Sequence, residues 1–486
     1  MNMSEQIDTI EAKIPELDTL TRLRRWAAST DRAVAQKEVS AYTQQLIDRT
    51  GRGMVLREAD LRGLNLSGFD LRQAVLNRAV LHGTNLNGAD LTGAALVCPG
   101  MERTQLKGTI MRGVYMHAFA AQVCDFTGAD MSNLTDATGS LFHGCFMTGV
   151  KLSGNSIAGT TFYQCIMDEV DFRRSNLQGS VINECHLAGA DFSGAQLSQF
   201  CITKSNCRGV RFNEASGEGL CLQRLVDADG ISLAQANLPG LRIRGGSFTH
   251  LDARSLSARE ADFASLSMPR ANFNLADLEQ ARFLNINIEG ADFSGAKFDN
   301  ASLYNCTADG SDFSSVTGEN IAVRESSFQE AKLNRFTARC AHFRDCNLTR
   351  ADLHGAYLYR AMITGDPPKA MSMNNANLSA TTLVQSYIAG DLSGADLRGA
   401  LLVYARLNQI ILNDADLTGA SLFGASLVKS LFERACMDDV VGPVFSDRCT
   451  GLQQALEEAQ GDESRKLAAF TASLEELLKQ QQRGST

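Results

Sequence analysis

The sequence predicts an all-β solenoid, a four-sided coil of stacked five-residue units with helical segments at both ends. Three observations predict it. A large apolar residue recurs every fifth position, as in Leu61, Leu66, Leu71, Leu76, Leu81, Leu86, Leu91 and Leu96. A small residue often stands two positions earlier, as in Ala59, Ala74, Ala79, Ala89 and Ala94. Phenylalanines recur at twenty: Phe172, Phe192 and Phe212, then Phe273, Phe293 and Phe313. A helix repeats near 3.6 and a strand near 2, so a period of five belongs to neither. It requires a backbone that turns a corner every five residues and sends one large and one small side chain inward. Four such units close one coil, which stacks the phenylalanines in columns. Coils spaced by about 4.8 Å then pair their backbones.

The chain divides into a helical segment over 1–50, the coil over 51–445 and a helical tail over 446–486. In 4–50, Ile7, Ile10 and Ile14 precede Pro15. Leu17, Leu20, Leu23 and Trp26 continue the stripe, and Ala35, Val39, Tyr42 and Leu46 form another. An open solenoid end exposes unpaired strand backbone and core, so a helix laid over the first coil is expected.

The five-residue beat begins at Leu56, holds to Met116 and passes Phe126, Met131 and Leu141 to Phe146. One residue is then inserted. A second run goes from Leu152 through Ile157, Phe162, Met167 and Phe172 to Ile202, with Cys165, Ser175, Ser180 and Cys185 among its small positions. The pattern blurs over 217–232, resumes at Leu233 and reaches Ile363. A Pro-Pro stretch over 364–372 precedes the last run, which drops one residue before Leu392 and ends at Met437. The 388 residues of 54–441 give about 19 coils and a rod of roughly 90 Å at the usual strand spacing.

The residue before the large position is often Asp or Asn, as at Asp60, Asn65, Asp70, Asp90, Asp292, Asp396 and Asp416. Short acceptor side chains satisfy backbone groups at corners. Glycine often follows the large position by two, as at Gly63, Gly93 and Gly194, where a tight corner requires positive φ. Both features read as scaffold.

The runs ADLTGA (89–94), ADFSGA (190–195 and 291–296), GADLRGA (394–400) and DADLTGA (414–420) resemble the A(D/N)LXX motif of the pentapeptide repeat family. The likeness covers about 380 of the 486 residues. The resemblance implies a right-handed quadrilateral β-helix. It also implies a range of roles: some members protect DNA gyrase and topoisomerase IV as DNA mimics, and others are secreted effectors or binding modules. Members of the gyrase-protecting kind dimerise through a C-terminal helix. Here Leu467, Phe470, Leu474, Leu477 and Leu478 form an apolar stripe in the tail, a candidate cap or homodimer helix.

The charge balance is 46 basic against 55 acidic residues, a net −9, which disfavours direct binding to nucleic acid or anionic lipid. No apolar run approaches a membrane span and the N-terminus has no signal-peptide pattern, so the expected location is the cytoplasm. Thirteen cysteines without framework spacing read as thiols. Cys165 and Cys185 share an inward position one coil apart and are read as two thiols despite their proximity.

No phosphate loop, dinucleotide fingerprint, HExxH or paired CxxC is present, so no catalytic, cofactor-binding or metal-binding residue is assigned. His342 with Cys340 and Cys346 has metal-like spacing, but in a coil such neighbours face different sides. The recurrent aspartates sit on a convex surface without a converging partner.

The interruptions carry the candidate partner-binding residues: Glu218, Arg224, Asp227 and Asp229 in one, and Asp366, Pro367 and Lys369 in the other. A basic cluster (Arg324, Arg335, Arg339, Arg344, Arg350, Arg360) is offset by Glu325, Glu330, Asp345 and Asp352. The expected function is a non-enzymatic scaffold that binds protein partners. One alternative is a DNA mimic that protects gyrase or topoisomerase IV. Duplex DNA carries a charge per about 1.7 Å, or roughly 50 over such a rod, and −9 imitates that poorly. The other alternative is a secreted effector or secretion-system accessory protein.

Overall fold

A computed structural model describes residues 18–117, 119–365, 371–442 and 444–458. The chain forms two compact units, Met1–Leu238 and Pro239–Thr486. Each is a parallel β-solenoid.

In the first unit every coil has four pairing sides. Val55 pairs with Val75, Asp60 with Val80, Asn65 with Asn85 and Asp70 with Asp90, all parallel. The bonding alternates between coils. Leu61 N donates to the Val80 carbonyl at 2.9 Å, and Val80 N donates to the Ala59 carbonyl at 2.9 Å. Corners are closed within a coil, as where Ala79 N donates to the Leu76 carbonyl at 3.1 Å. One side carries the named strands β1 (Met101–Glu102), β2 (Ala120–Gln122), β3 (Leu141–His143), β4 (Thr161–Tyr163), β5 (Val181–Asn183), β6 (Cys201–Thr203) and β7 (Cys221–Gln223). In the second unit the same winding gives β8 (Arg242–Ser247), β9 (Asp262–Ser267), β10 (Arg282–Asn287) and β11 (Ser302–Thr307), in a parallel ladder continued by Ala322–Arg324, His342–Arg344 and Met362–Thr364.

The phenylalanine columns stand as the twenty-residue spacing predicts. Phe172 and Phe192 stack with centroids 4.8 Å apart, and Phe192 and Phe212 at 5.0 Å. Phe273, Phe293 and Phe313 stack at 4.9 and 4.8 Å. All thirteen cysteines are thiols.

The small inward position does more than save space. Cys124, Cys145, Cys165 and Cys185 form one buried column. Their Sγ atoms donate to the carbonyls of Met101, Ala121, Phe142 and Phe162 at 3.7, 3.5, 3.3 and 3.6 Å. Cys165 N in turn donates to Cys185 Sγ at 3.3 Å, and Cys185 N to Ser205 Oγ at 3.0 Å. These side chains bond amides that corner bonds satisfy elsewhere, which is why this column selects Cys and Ser over Ala.

Nearly every described corner two residues after the large position has positive φ, and glycine is only one of its occupants. Gly63 and Gly93 adopt φ of 65° and 68°, as expected, but Gln73, Arg78 and Val123 adopt 56°, 57° and 54° at the equivalent position. Val123 is the most strained type, because a β-branched side chain crowds its backbone in the left-handed region. Val123→Gly is expected to stabilise the fold by about 1 kcal/mol, read as a rise in the urea midpoint at unchanged m-value.

Helix α1 (18–27) and helix α2 (Arg32–Thr50) lie against the first coil. Asp31 caps α2 by accepting from Val34 N at 3.1 Å, and Gly51 ends it at φ 67°. The buried stripe of α2 is Ala35, Val39 and Thr43. Tyr42 and Leu46, expected in that stripe, are only half-buried. Thr43 Oγ1 donates to the Asp70 carbonyl at 2.7 Å. Arg32 Nη2 and Gln36 Nε2 donate to the Ser67 carbonyl at 2.8 and 3.1 Å, and Arg24 Nη2 donates to the Asp60 carbonyl at 2.9 Å. The helices thus occupy carbonyls that the first coil has no lower neighbour to satisfy. In the second unit, helix α3 (Leu452–Glu458) buries Leu452 and Ala455.

Two readings of the beat are corrected. The first concerns the insertion expected after Phe146. The register slips earlier, for Tyr115 pairs with Asp136, 21 positions on. The extra residue lies between Met131 and Asp136. Phe142 and Met147 therefore point inward and are buried, while Leu141 and Phe146 point outward. The second concerns 217–232, which is no break in the coil. Cys201 pairs with Cys221 and Asn206 with Asp227, so a single residue is added at Leu225–Val226. Leu225 is buried and Val226 is 76% exposed, and the coil continues. The Pro-Pro stretch does add residues. Asn347 pairs with Ser372 and Met362 with Tyr387, each 25 positions on, five more than a coil. The ladder resumes in phase, and the one-residue deletion expected before Leu392 follows, with Ser372 paired to Asp391.

Candidate interaction surface

The slip at 132–136 turns apolar side chains outward. On the β3–β5 side, Leu141, Thr161 and Val181 stand in register on successive coils. On the next side, Phe146 and Ile166 stand in register. Val123 occupies the corner between these sides, and a Cβ placed on Gly144 would sit 3.6 Å from its Cγ2. Leu141 is 44% and Phe146 46% exposed, and Val123, Ile166 and Val181 are exposed as well. The His143 and Tyr163 rings lie 5.2 Å apart beside them. Apolar residues clustered on a solvent face mark interaction sites more often than lone ones do.

A second cluster lies in the second unit, where sequence reading placed only basic residues. Arg339 and Arg360 stand 5.9 and 5.1 Å from the Tyr359 ring centroid. Tyr357 stacks on Tyr359 at 6.2 Å. Arg360 Nε and Tyr359 Oη both donate to Gln385 Oε1, at 2.9 and 3.2 Å. Three arginines of the basic cluster lie beside carboxylates. Arg339 pairs with Glu319 at 3.0 Å, Arg350 with Glu330 at 3.3 Å and Arg344 with Asp345 at 3.6 Å. Arg324 and Arg344 are in register on adjacent strands.

The aspartates act as corner caps. Asp90 Oδ1 accepts from Thr92 N at 2.9 Å, Asp292 Oδ1 from Ser294 N at 2.8 Å and Asp416 Oδ1 from Thr418 N at 2.9 Å. Where the capped residue is arginine, its guanidinium closes on the same carboxylate. The Arg62 side-chain hydrogen bond is the largest influence holding Asp60 down at about 2, and Arg398 likewise lowers Asp396.

Of the expected partner-binding residues, Glu218, Arg224, Asp227 and Asp229 are described. Glu218 and Arg224 occupy separate exposed corners. Asp227 and Asp229 act locally, since Asp227 Oδ1 accepts from Asp229 N at 3.1 Å and Asp229 lies 3.8 Å from Arg208. Asp366, Pro367 and Lys369 lie outside the described residues, as do Leu467, Phe470, Leu474, Leu477 and Leu478. Among the described residues no group of three His, Cys, Asp or Glu side chains is arranged to hold a metal. No described helix is long and apolar enough to cross a membrane.

Leu141, Phe146, Ile166 and Val181 are the functional candidates that sequence reading missed. The signal was present as doublets: Leu141-Phe142, Phe146-Met147, Ile166-Met167 and Val181-Ile182. A five-residue unit needs one large inward side chain, so the first member of each doublet is surplus to the core.

Parallel coils of twenty residues with one large and one small inward residue per side define a β-solenoid repeat protein. The chain belongs to the pentapeptide repeat family, whose profile matches in eight copies within 55–93, 76–113, 165–203, 259–295, 281–314, 326–365 and 391–437. Among solved structures, similarity is found to full-length QnrB1, a plasmid-mediated fluoroquinolone resistance protein, at 12% identity over 60% of this chain and 94% of that one, with a TM-score of 0.17. HetL, a pentapeptide repeat protein involved in heterocyst differentiation regulation in the cyanobacterium Nostoc, is 19% identical over 82% of this chain and 95% of its own, with a TM-score of 0.09. Rfr23 of the cyanobacterium Cyanothece is 17% identical over 40% and 90%, with a TM-score of 0.11. No curated protein sequence matches.

Proposed function

We propose that this chain is a non-enzymatic scaffold that binds protein partners on the outer faces of its coils. What carries the reading is the apolar patch of Leu141, Phe146, Ile166 and Val181 on two adjoining sides of the first unit. Those residues contribute nothing to the core, because Phe142, Met147, Met167 and Ile182 fill it. Burying this much exposed apolar surface favours association by about 25 cal/mol per Å² before the entropic cost is met. The Tyr357–Tyr359–Arg339–Arg360 cluster supports the same reading, since tyrosine and arginine are the residue types that anchor protein interfaces.

The test compares the full chain with a Phe146→Ser, Ile166→Ser double variant. Both substitutions are on outward positions, so the double variant is expected to keep the wild-type β signal and melting temperature. A partner isolated with the wild-type chain is expected to bind the variant at least roughly tenfold more weakly, as loss of two buried anchors implies. Equal affinity would remove the patch as the binding surface.

A further inference from the structure

Outward positions of the described coils are mostly exposed or half-buried, and a strip of the second unit departs from that. Lys297, Thr317, Thr337, Tyr357, Thr382, Leu401, Ser421 and Val441 follow one another in register along one side. Lys297 and Thr317 are exposed, and Thr337 and Tyr357 are half-buried. Thr382, Leu401, Ser421 and Val441 are each no more than 7% exposed. They do not fill the core, because Thr381 and Leu383, Ala400 and Leu402, and Ala420 and Leu422 on either side of them point inward and are buried there. At the next outward position Val384 is buried too, and Val403 and Phe423 are half-buried. Ser421 Oγ is sealed from solvent with no hydrogen-bond partner among the described residues, as happens under an apolar cover.

We propose that this strip is a docking surface for an amphipathic helix, and that its occupant is the chain's own C-terminal segment, through Leu467, Phe470, Leu474, Leu477 and Leu478. Their spacing puts all five side chains on one face of a helix. From Leu467 to Leu478 such a helix rises about 16 Å. From Thr382 to Val441 the strip rises three coil spacings, about 14 Å. Stripe and strip therefore match in length. Helix α3, with seven residues, spans about 10 Å and is too short to cover the strip alone. The connection is also long enough. Val441 ends the strip in the last coil, where Thr450 pairs with Leu431 just before α3 begins. The eight residues between Glu458 and Leu467 reach up to about 26 Å when extended, and Gly461 among them permits a reversal. The strip suits a helix chemically. Val384, Leu401 and Val441 supply apolar surface, and the small Thr382 and Ser421 leave grooves that leucine-sized side chains can enter. A face covered in this way is closed to partners, unlike the one that carries Leu141 and Phe146.

The test places an indole in the stripe of the full chain with Phe470→Trp. Trp26 is the only native tryptophan, so its emission is subtracted from that of the wild type. The added indole is expected to emit well to the blue of its position in urea, and Leu401→Asp in the same background is expected to move it back to the red. Should Leu401→Asp loosen the last coils and lower the β signal, Val403→Asp, at a half-buried outward position, gives the same readout. Separately, Leu474→Asp with Leu477→Asp is expected to raise the binding of an apolar dye severalfold at an unchanged β signal, because the strip opens. An indole that emits as in urea before any change to the strip would overturn the proposal, and so would one indifferent to both Leu401→Asp and Val403→Asp. Dye binding equal to that of the wild type would do the same. Light scattering separates one chain from two: the double aspartate variant is expected to keep the wild-type mass. A wild-type dimer that this variant splits would put a second copy's tail on the strip and overturn the assignment to the same chain.

Discussion

Phe192→Ala is expected to remove about 4 kcal/mol of stability. The ring is fully buried and stacks on both Phe172 and Phe212, at 4.8 and 5.0 Å. It also meets Phe200 at 5.6 Å. Truncation therefore empties a site that one coil above and one below cannot collapse to fill, because both are fixed by their own ladders. The loss should be local. In a solenoid each coil contacts only its neighbours, so protection from amide exchange should fall across roughly 172–212 and hold elsewhere in the first unit. Phe192→Leu, which supplies the residue other coils carry at this position, as at Leu91 and Leu152, is expected to cost less than half as much. A uniform loss of protection over the whole unit, or a change under about 1 kcal/mol, would show that the column does not hold the coils together.

Removing residues 1–50 is expected to convert a monodisperse sample into one that self-associates through the uncovered end. The carbonyls of Asp60, Ser67 and Asp70 would lose the donors that α1 and α2 supply. Phe69 would lose Arg32, whose guanidinium lies 4.1 Å from its ring centroid, and with it a desolvated cation–π contact of about 1–2 kcal/mol. A strand edge left open in register with an apolar core is a template for pairing with another chain. Light scattering at matched concentration checks this. An unchanged mass relative to the full chain, together with an unchanged melting temperature, would show that the first coil needs no cover. The point variant Thr43→Val, which keeps shape and removes the donor to Asp70, should lower stability by about 1 kcal/mol without association.

Most of the fold was legible because the beat leaves few alternatives. Once Leu61 to Leu96 are set five apart, every inward position over that stretch follows, and Phe172, Phe192 and Phe212 fix the length of the coil. Legibility failed where two apolar residues stood together. At Leu141-Phe142 either residue can serve as the inward one, and the choice depends on where a single residue was inserted upstream. Pairing between coils decides it, since only one register lets Tyr115 bond opposite Asp136. That one ambiguity hid the candidate interaction surface, for it assigned Leu141 and Phe146 to the core. At 217–232 the reverse happened. Leu220, Leu222 and Leu225 are buried, but their spacing of two and three residues masks the beat. Thr43 was missed for another reason. A polar residue on an apolar helix stripe signals nothing until the carbonyl it reaches, on Asp70, is known.

The addition at 366–370 amounts to one whole unit, and the ladder on either side meets without distortion, Arg344 pairing with Thr364 and Asn347 with Ser372. Paired ladder therefore stands on both flanks of the five added positions. Lengthening a tether whose ends already meet costs little, about 0.6 kcal/mol for each doubling. The position is a natural port for grafting: a foreign peptide or small domain spliced between Gly365 and Met371 would be displayed on a rigid support while the winding below and above it carries on unaware.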